Sequence, residues 1–101
     1  MILEVATLDV KIGQHDDFEV AFKEAESIIF SMKGYISHQL QKCMEVKNRY
    51  VLLVRWETLE DHTEGFRGSE EYEVWREKLH HFYEPFPEVV HYELVSERIK
   101  S

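Results

Sequence analysis

A single cysteine, Cys43, leaves this chain without an internal disulfide and without the thiolate set of a zinc site. No apolar run approaches the length of a bilayer-spanning helix. Positive charge is scarce too: 12 Lys and Arg stand against 20 Asp and Glu, a formal net charge of −8. Acidic residues spread along the whole chain repel a phosphate backbone and an anionic membrane surface alike, which excludes nucleic acid and membranes as partners. With only four glycines and two prolines, the chain has no flexible linker, repeat or low-complexity tract. It also lacks a phosphate-cradling glycine loop, a nucleophile elbow and a zinc-spacing motif. The opening Met1-Ile2-Leu3-Glu4 has neither the basic start nor the apolar stretch of a secretory signal, and with the lone cysteine it points to the cytoplasm.

What remains is a chain of 101 residues, 44% apolar and 13% aromatic, enough for one core and one domain spanning 1–101. Ile2 to Val10 is β-rich, and Asp16 and Asp17 then put negative charge at a helix start. Phe18, Ala21, Phe22, Ala25, Ile28, Ile29 and Met32 recur at three- and four-residue steps, a helical stripe that Gly34 stops. Tyr35 to Val46 and Tyr50 to Val54 read as a hairpin broken by Lys47-Asn48-Arg49. Thr58 with Asp61 has capping-box spacing, which predicts a short helix ending near Gly65 or Gly68. Ser69 caps a last helix bearing Tyr72, Trp75, Leu79, Phe82 and Phe86 on one face, ended by Pro85 and Pro87. Val89 to Val95 is the final strand, followed by a polar tail.

The order βαββαβ with right-handed crossovers gives a ferredoxin-like α+β fold, a four-stranded antiparallel sheet with strands one and three central and the helices on one face. Strand three is apolar on both sides: Tyr50, Leu52, Val54 and Trp56 point one way, Val51 and Leu53 the other. The face without helices wants a cover, and the same face of a second copy is the economical one, so a homodimer through the sheet face is expected.

One further pattern runs through nearly the whole chain. It comprises Gly13 then Phe18, Gly34-Tyr35, Trp56-Glu57-Thr58-Leu59-Glu60-Asp61-His62, Phe66, Ser69, Tyr72, Trp75-Arg76 and Pro87-Glu88-Val89-Val90-His91-Tyr92. In that order and spacing the chain resembles the antibiotic biosynthesis monooxygenase domain of the dimeric α/β-barrel superfamily. The resemblance implies a cofactor-independent monooxygenase, an oxidoreductase acting without metal or cofactor on a small electron-rich aromatic of quinol or phenol type. In such oxygenases an Asn and a Trp on strand three, a Tyr six residues after that Trp and an Arg on the last helix line the pocket. Trp56 matches the Trp and Arg76 the Arg, while His62 stands at the Tyr position and Leu52 at the Asn position.

The resemblance thus nominates His62 as base or donor, Trp56 as a stacking wall and Arg76 as an anion anchor, with Leu52, Phe66, Tyr72 and Tyr83 as substrate contacts. A plainer reading stands beside each. His62 fits a structural histidine at a helix terminus, Trp56 core filling, Arg76 a surface pair with Glu73, and Tyr72, Trp75, Leu79 and Phe82 a core stripe. His80 and His81 diverge by about 100° on a helix and cannot readily chelate one metal together; a site with His91 on strand four is conceivable, but solvated surface histidines are the favoured reading. Cys43, on strand two without an acidifying neighbour, reads as a packing residue. Leu52 in place of the Asn favours a rival function, a non-catalytic or stress-related module that holds a small hydrophobic molecule. Haem degradation fits less well, because members that do it use a strand-one Asn and a last-helix His where this chain has Thr7 and Trp75-Arg76.

Overall fold

Alternation in the first segment sends Glu4, Ala6, Leu8 and Val10 to one side, and in the computed structural model, which describes all 101 residues, that side faces the helices. Strand β1 (Ile2–Asp9) pairs antiparallel with β3 (Arg49–Trp56) and with β4 (Glu88–Glu93), and β3 pairs with β2 (Tyr35–Lys42), giving the order β2-β3-β1-β4. The sheet is the expected one, with β1 and β3 central. Its register sets Glu4 between Val54 of β3 and His91 of β4.

Helix α1 (His15–Phe30) buries Phe18, Phe22, Ala25 and Ile29. Helix α2 (Glu70–Leu79) buries Trp75 and Leu79, and Ser69 caps it by accepting from the Tyr72 N–H at 3.1 Å. Both pack on Tyr50, Leu52, Val54 and Trp56 of β3. Each large side chain so buried stabilises the fold by roughly 1.5–3 kcal/mol.

Several boundaries differ from the sequence expectation. Helix α1 ends at Phe30, and Gly34 follows in the turn beyond it at φ +83°. Strand β2 stops at Lys42, so Cys43 lies past the strand, and Val46 sits in the loop to β3. The capping box forms as expected, but it launches a six-residue π-helical turn, Asp61–Phe66. Helix α2 gives way at Leu79 to a 3₁₀ turn, His80–Phe82, and this change of winding carries Phe86 off the core stripe to 80% exposure. Strand β4 ends at Glu93, two residues short of the expected Val95, which is 94% exposed.

The sheet's other face carries Leu3, Val5, Val51 and Leu53, each only half-buried, with Val90 and Tyr92 exposed beside them. No element of the chain covers it. No helix is long and apolar enough to cross a membrane.

Candidate functional site

Between the sheet and α2 lies a cavity of about 490 Å³, and ten of its fifteen lining residues are hydrophobic. Ala6, Leu8 and Leu52 form its floor, and Phe66, Tyr72 and Trp75 supply aromatic walls. The walls meet edge-on: Phe66 is perpendicular within 16° to both Tyr72 and Trp75, with centroids 5.2 and 5.7 Å away. One end of this apolar chamber is polar, and Glu4, His62 and Arg67 make it so.

The π-helical turn brings His62 to that end. Thr58 and Asp61 cap each other reciprocally, Asp61 N–H to the Thr58 hydroxyl at 3.1 Å and Thr58 N–H to the Asp61 carboxylate at 3.2 Å. The wide winding follows, closed by an N–H from Arg67 to the carbonyl of His62 at 3.1 Å. It buries both His62 and Phe66. The imidazole of His62 stacks on Trp56, with ring centroids 5.5 Å apart and planes 21° apart.

Trp56 itself is fully buried and does not reach the cavity surface. Its indole N–H donates to Glu4 Oε1 at 3.0 Å. His62 Nε2 lies 3.3 Å from the same oxygen, and His62 Nδ1 lies 2.8 Å from His91 Nε2. Burial pushes Glu4 above the usual carboxylate range, opposed by the Trp56 hydrogen bond and the charge of Arg67. Burial also pulls His62 down to about 3, helped by Arg67 and His91. At neutral pH His62 is therefore uncharged, and its contact with Glu4 is not an ion pair. His91 is lowered as well, first by burial and then by Arg67.

Of the nominated residues, His62, Leu52, Phe66, Tyr72 and Tyr83 come together around the cavity. Burial raises the Tyr83 phenol, so its hydroxyl stays a donor. Trp56 acts from behind His62 instead of from the cavity wall. Arg76 does not join them. It does not line the cavity, although it lies one turn beyond Tyr72 on the same face of α2; it is exposed and donates to Glu73 at 2.6 Å, the surface pair one turn apart. The cation that reaches the cavity is Arg67.

Sequence reasoning missed Glu4 and Arg67, and read His80 and His91 as surface histidines, not as neighbours of the cavity. Glu4 had a signal: it shares the alternation phase of Ala6, Leu8 and Val10, so an inward β1 carries a carboxylate with it. His91 becomes its neighbour only once the β1–β4 register is known. Although His62, His91 and Glu4 adjoin, no group of three or more His, Cys, Asp or Glu side chains is disposed to hold a metal ion.

The family model described as antibiotic biosynthesis monooxygenase matches residues 1–78. The chain belongs to the antibiotic biosynthesis monooxygenase family. The match includes Glu4, Trp56, His62 and Arg67, whereas His91 and Tyr83 of this family member lie beyond it. YczJ, an uncharacterised protein of Bacillus subtilis strain 168, is 58% identical over 93 residues, which cover 92% of this chain and 98% of YczJ. Among solved structures, a protein of Bordetella bronchiseptica assigned to the antibiotic biosynthesis monooxygenases superposes with a TM-score of 0.91 at 30% identity, covering 94% of this chain and 97% of that one. SnoaB, a cofactor-independent oxygenase from Streptomyces nogalater, shares the fold with a TM-score of 0.82 at 16% identity, covering 95% of this chain and 94% of its own. This chain thus shares its fold with both of these solved structures.

Proposed function

We propose that this protein is a cofactor-independent monooxygenase that oxidises a small electron-rich aromatic of phenol or quinol type inside the cavity between sheet and helices. The observation that carries this reading is a buried carboxyl–imidazole pair, Glu4 and His62, at the closed end of an aromatic-walled chamber. A chamber of about 490 Å³ is in the usual range for a small organic ligand. Family membership and the oxygenase named among the fold relatives support the same chemistry.

In this reading the Glu4–His62 end takes the proton of a ring hydroxyl, Arg67 faces the resulting oxyanion, and Tyr83 donates at the rim. The electron-rich anion then reacts with dioxygen: a ring carbon–oxygen bond forms, the O–O bond breaks, and the second oxygen leaves as water with the ring C–H proton and the hydroxyl proton. A phenol plus dioxygen becomes a quinone plus water. All four electrons that dioxygen accepts come from the substrate, so the protein need only bind and deprotonate.

The proposed assembly is a homodimer that covers the apolar sheet face, and the proposed compartment is the cytoplasm, where the free thiol of Cys43 stays reduced. The test is oxygen consumption with a panel of phenols, naphthols and hydroquinones. One dioxygen consumed per quinone formed, above uncatalysed autoxidation, supports the reading. A second reading, a non-catalytic binding module, is favoured by Leu52, which gives the cavity floor an apolar side chain where related oxygenases carry an Asn. Tight binding without oxygen consumption decides for it.

A further inference from the structure

Both ring nitrogens of His62 face protein groups. Nε2 is turned to Glu4 at 3.3 Å and Nδ1 to His91 at 2.8 Å, and the ring face is stacked on Trp56. A base needs a free lone pair within hydrogen-bond reach of the proton it removes. Glu4 has one. Its Oε1 receives the Trp56 N–H and faces His62, but Oε2 accepts no hydrogen bond from the protein, and the residue lines the cavity.

From this arrangement we infer that Glu4 is the proton acceptor of the cavity, and that His62 is a positioning residue that holds it. The inference deepens the proposed reaction and rests on the reading that a ring hydroxyl occupies the polar end. The hydrogen bonds follow a single direction. With Glu4 ionised, a proton on Nε2 of His62 faces Oε1 across a 3.3 Å polar contact, and Nδ1 accepts from the N–H of His91. His91 thereby selects the tautomer that serves Glu4. The Trp56 N–H fixes one oxygen, with His62 held beside it, and the other is left for the ligand.

The setting suits the role. The groups facing Glu4 are Trp56 from β3, His91 across the β1–β4 pair, His62 and Arg67 from the π-helical turn and its exit, and Tyr72, His80 and Tyr83 across the chamber. Only Arg67 among them is charged at neutral pH. The carboxyl, held above its usual range by burial, is a stronger base than a carboxylate in water, yet still ionised once pH exceeds its raised value.

The experiment uses alizarin, a dihydroxyanthraquinone whose visible band moves to the red when it loses a proton, titrated with the intact protein. The expected result is that bound alizarin shows its anion band below the pH at which the free dye ionises. Glu4→Gln keeps the shape of the site and binds the dye within about threefold, but leaves it neutral. His62→Gln restores an N–H donor where Nε2 stood and keeps the anion band. His62→Leu removes that N–H, and the midpoint for the anion band moves to higher pH, because the carboxylate has lost a polar neighbour that favoured its charged form. Circular dichroism confirms that each variant is folded.

An anion band that survives in Glu4→Gln overturns the inference alone, and its loss in His62→Gln does the same by returning the role to the imidazole. If the wild-type protein binds neither alizarin nor a simple naphthol, the aromatic-hydroxyl reading falls and the inference with it.

Discussion

Asp61 fills the space that a side chain at position 34 would need. Gly34 has φ +83°, and a Cβ built there overlaps the Asp61 carboxylate that caps the π-helical turn. The Gly34 carbonyl also accepts from the Glu57 N–H at 2.8 Å, so the start of β2 is tied to the end of β3 at the point where the polypeptide turns toward the site. Gly13 has nearly the same φ, +86°, with open space around it. Gly13→Ala is therefore expected to cost about 1 kcal/mol from backbone conformation alone, and Gly34→Ala clearly more, about 2–4 kcal/mol, as the cap is displaced. Urea denaturation of the two variants measures the difference, and equal losses would show that the close approach to Asp61 carries no weight.

Arg67 and Arg76 separate a cavity role from a surface role. Arg67→Ala is expected to weaken binding of an anionic dye such as ionised alizarin by about threefold, the scale of a charge interaction partly open to solvent. Arg76→Ala removes only an exposed pair with Glu73 and leaves binding unchanged. Fluorescence or absorbance titration gives both affinities. A larger loss in Arg76→Ala would reverse the assignment.

Much of this architecture was written in plain periodicity. The α1 stripe, the two-sided apolar character of β3 and the Thr58–Asp61 spacing are local signals, and local hydrogen bonding and burial obey them. The site is less legible, for physical reasons. A π-helical turn inserts a residue into a turn whose sequence is otherwise ordinary, so the inward rotation of His62 leaves no periodic mark. Arg67 enters the cavity because that turn ends beside it, whereas the family pattern drew attention to Arg76. Glu4 was visible by its phase among Ala6 and Leu8, but a charge on an inward strand face runs against the usual burial rule and is easily passed over. His91 depended on strand register, a long-range property.

Acid sensitivity follows from the buried histidine. Folding lowers the His62 pKa to about 3, mainly through burial, while the unfolded chain titrates near 6.5. Between those values the unfolded chain binds a proton that the folded one does not, so the contribution of this group is complete above pH 6.5 and is lost as pH falls toward 3. Glu4 acts in the opposite sense: its pKa is raised above 4.5, so its ionisation lowers stability as pH rises through the range just above that value. His62→Gln removes the first effect. The fall in melting temperature between pH 7 and pH 4 is expected to be smaller in this variant than in the wild type, and an equal fall would mean that the imidazole is solvated.

The uncovered sheet face gives a separate expectation. Leu53 lies at its centre on β3, pairing with Val5 of β1 and Gln39 of β2. If a second copy covers this face, sedimentation velocity finds the wild type dimeric at micromolar concentration and Leu53→Glu monomeric, since an unpaired charge buried between two sheets is costly. A wild-type monomer removes the assembly from the proposal.

Only two tryptophans occur in the chain, and Trp56 is the one whose indole N–H is bonded to an ionisable group. The hydrogen bond that steadies Glu4 thus makes the protein its own optical indicator: Trp56 emission tracks the charge on that carboxyl as pH changes, and Glu4→Gln flattens the trace. Occupancy and ionisation at the buried end of the chamber become readable without a label.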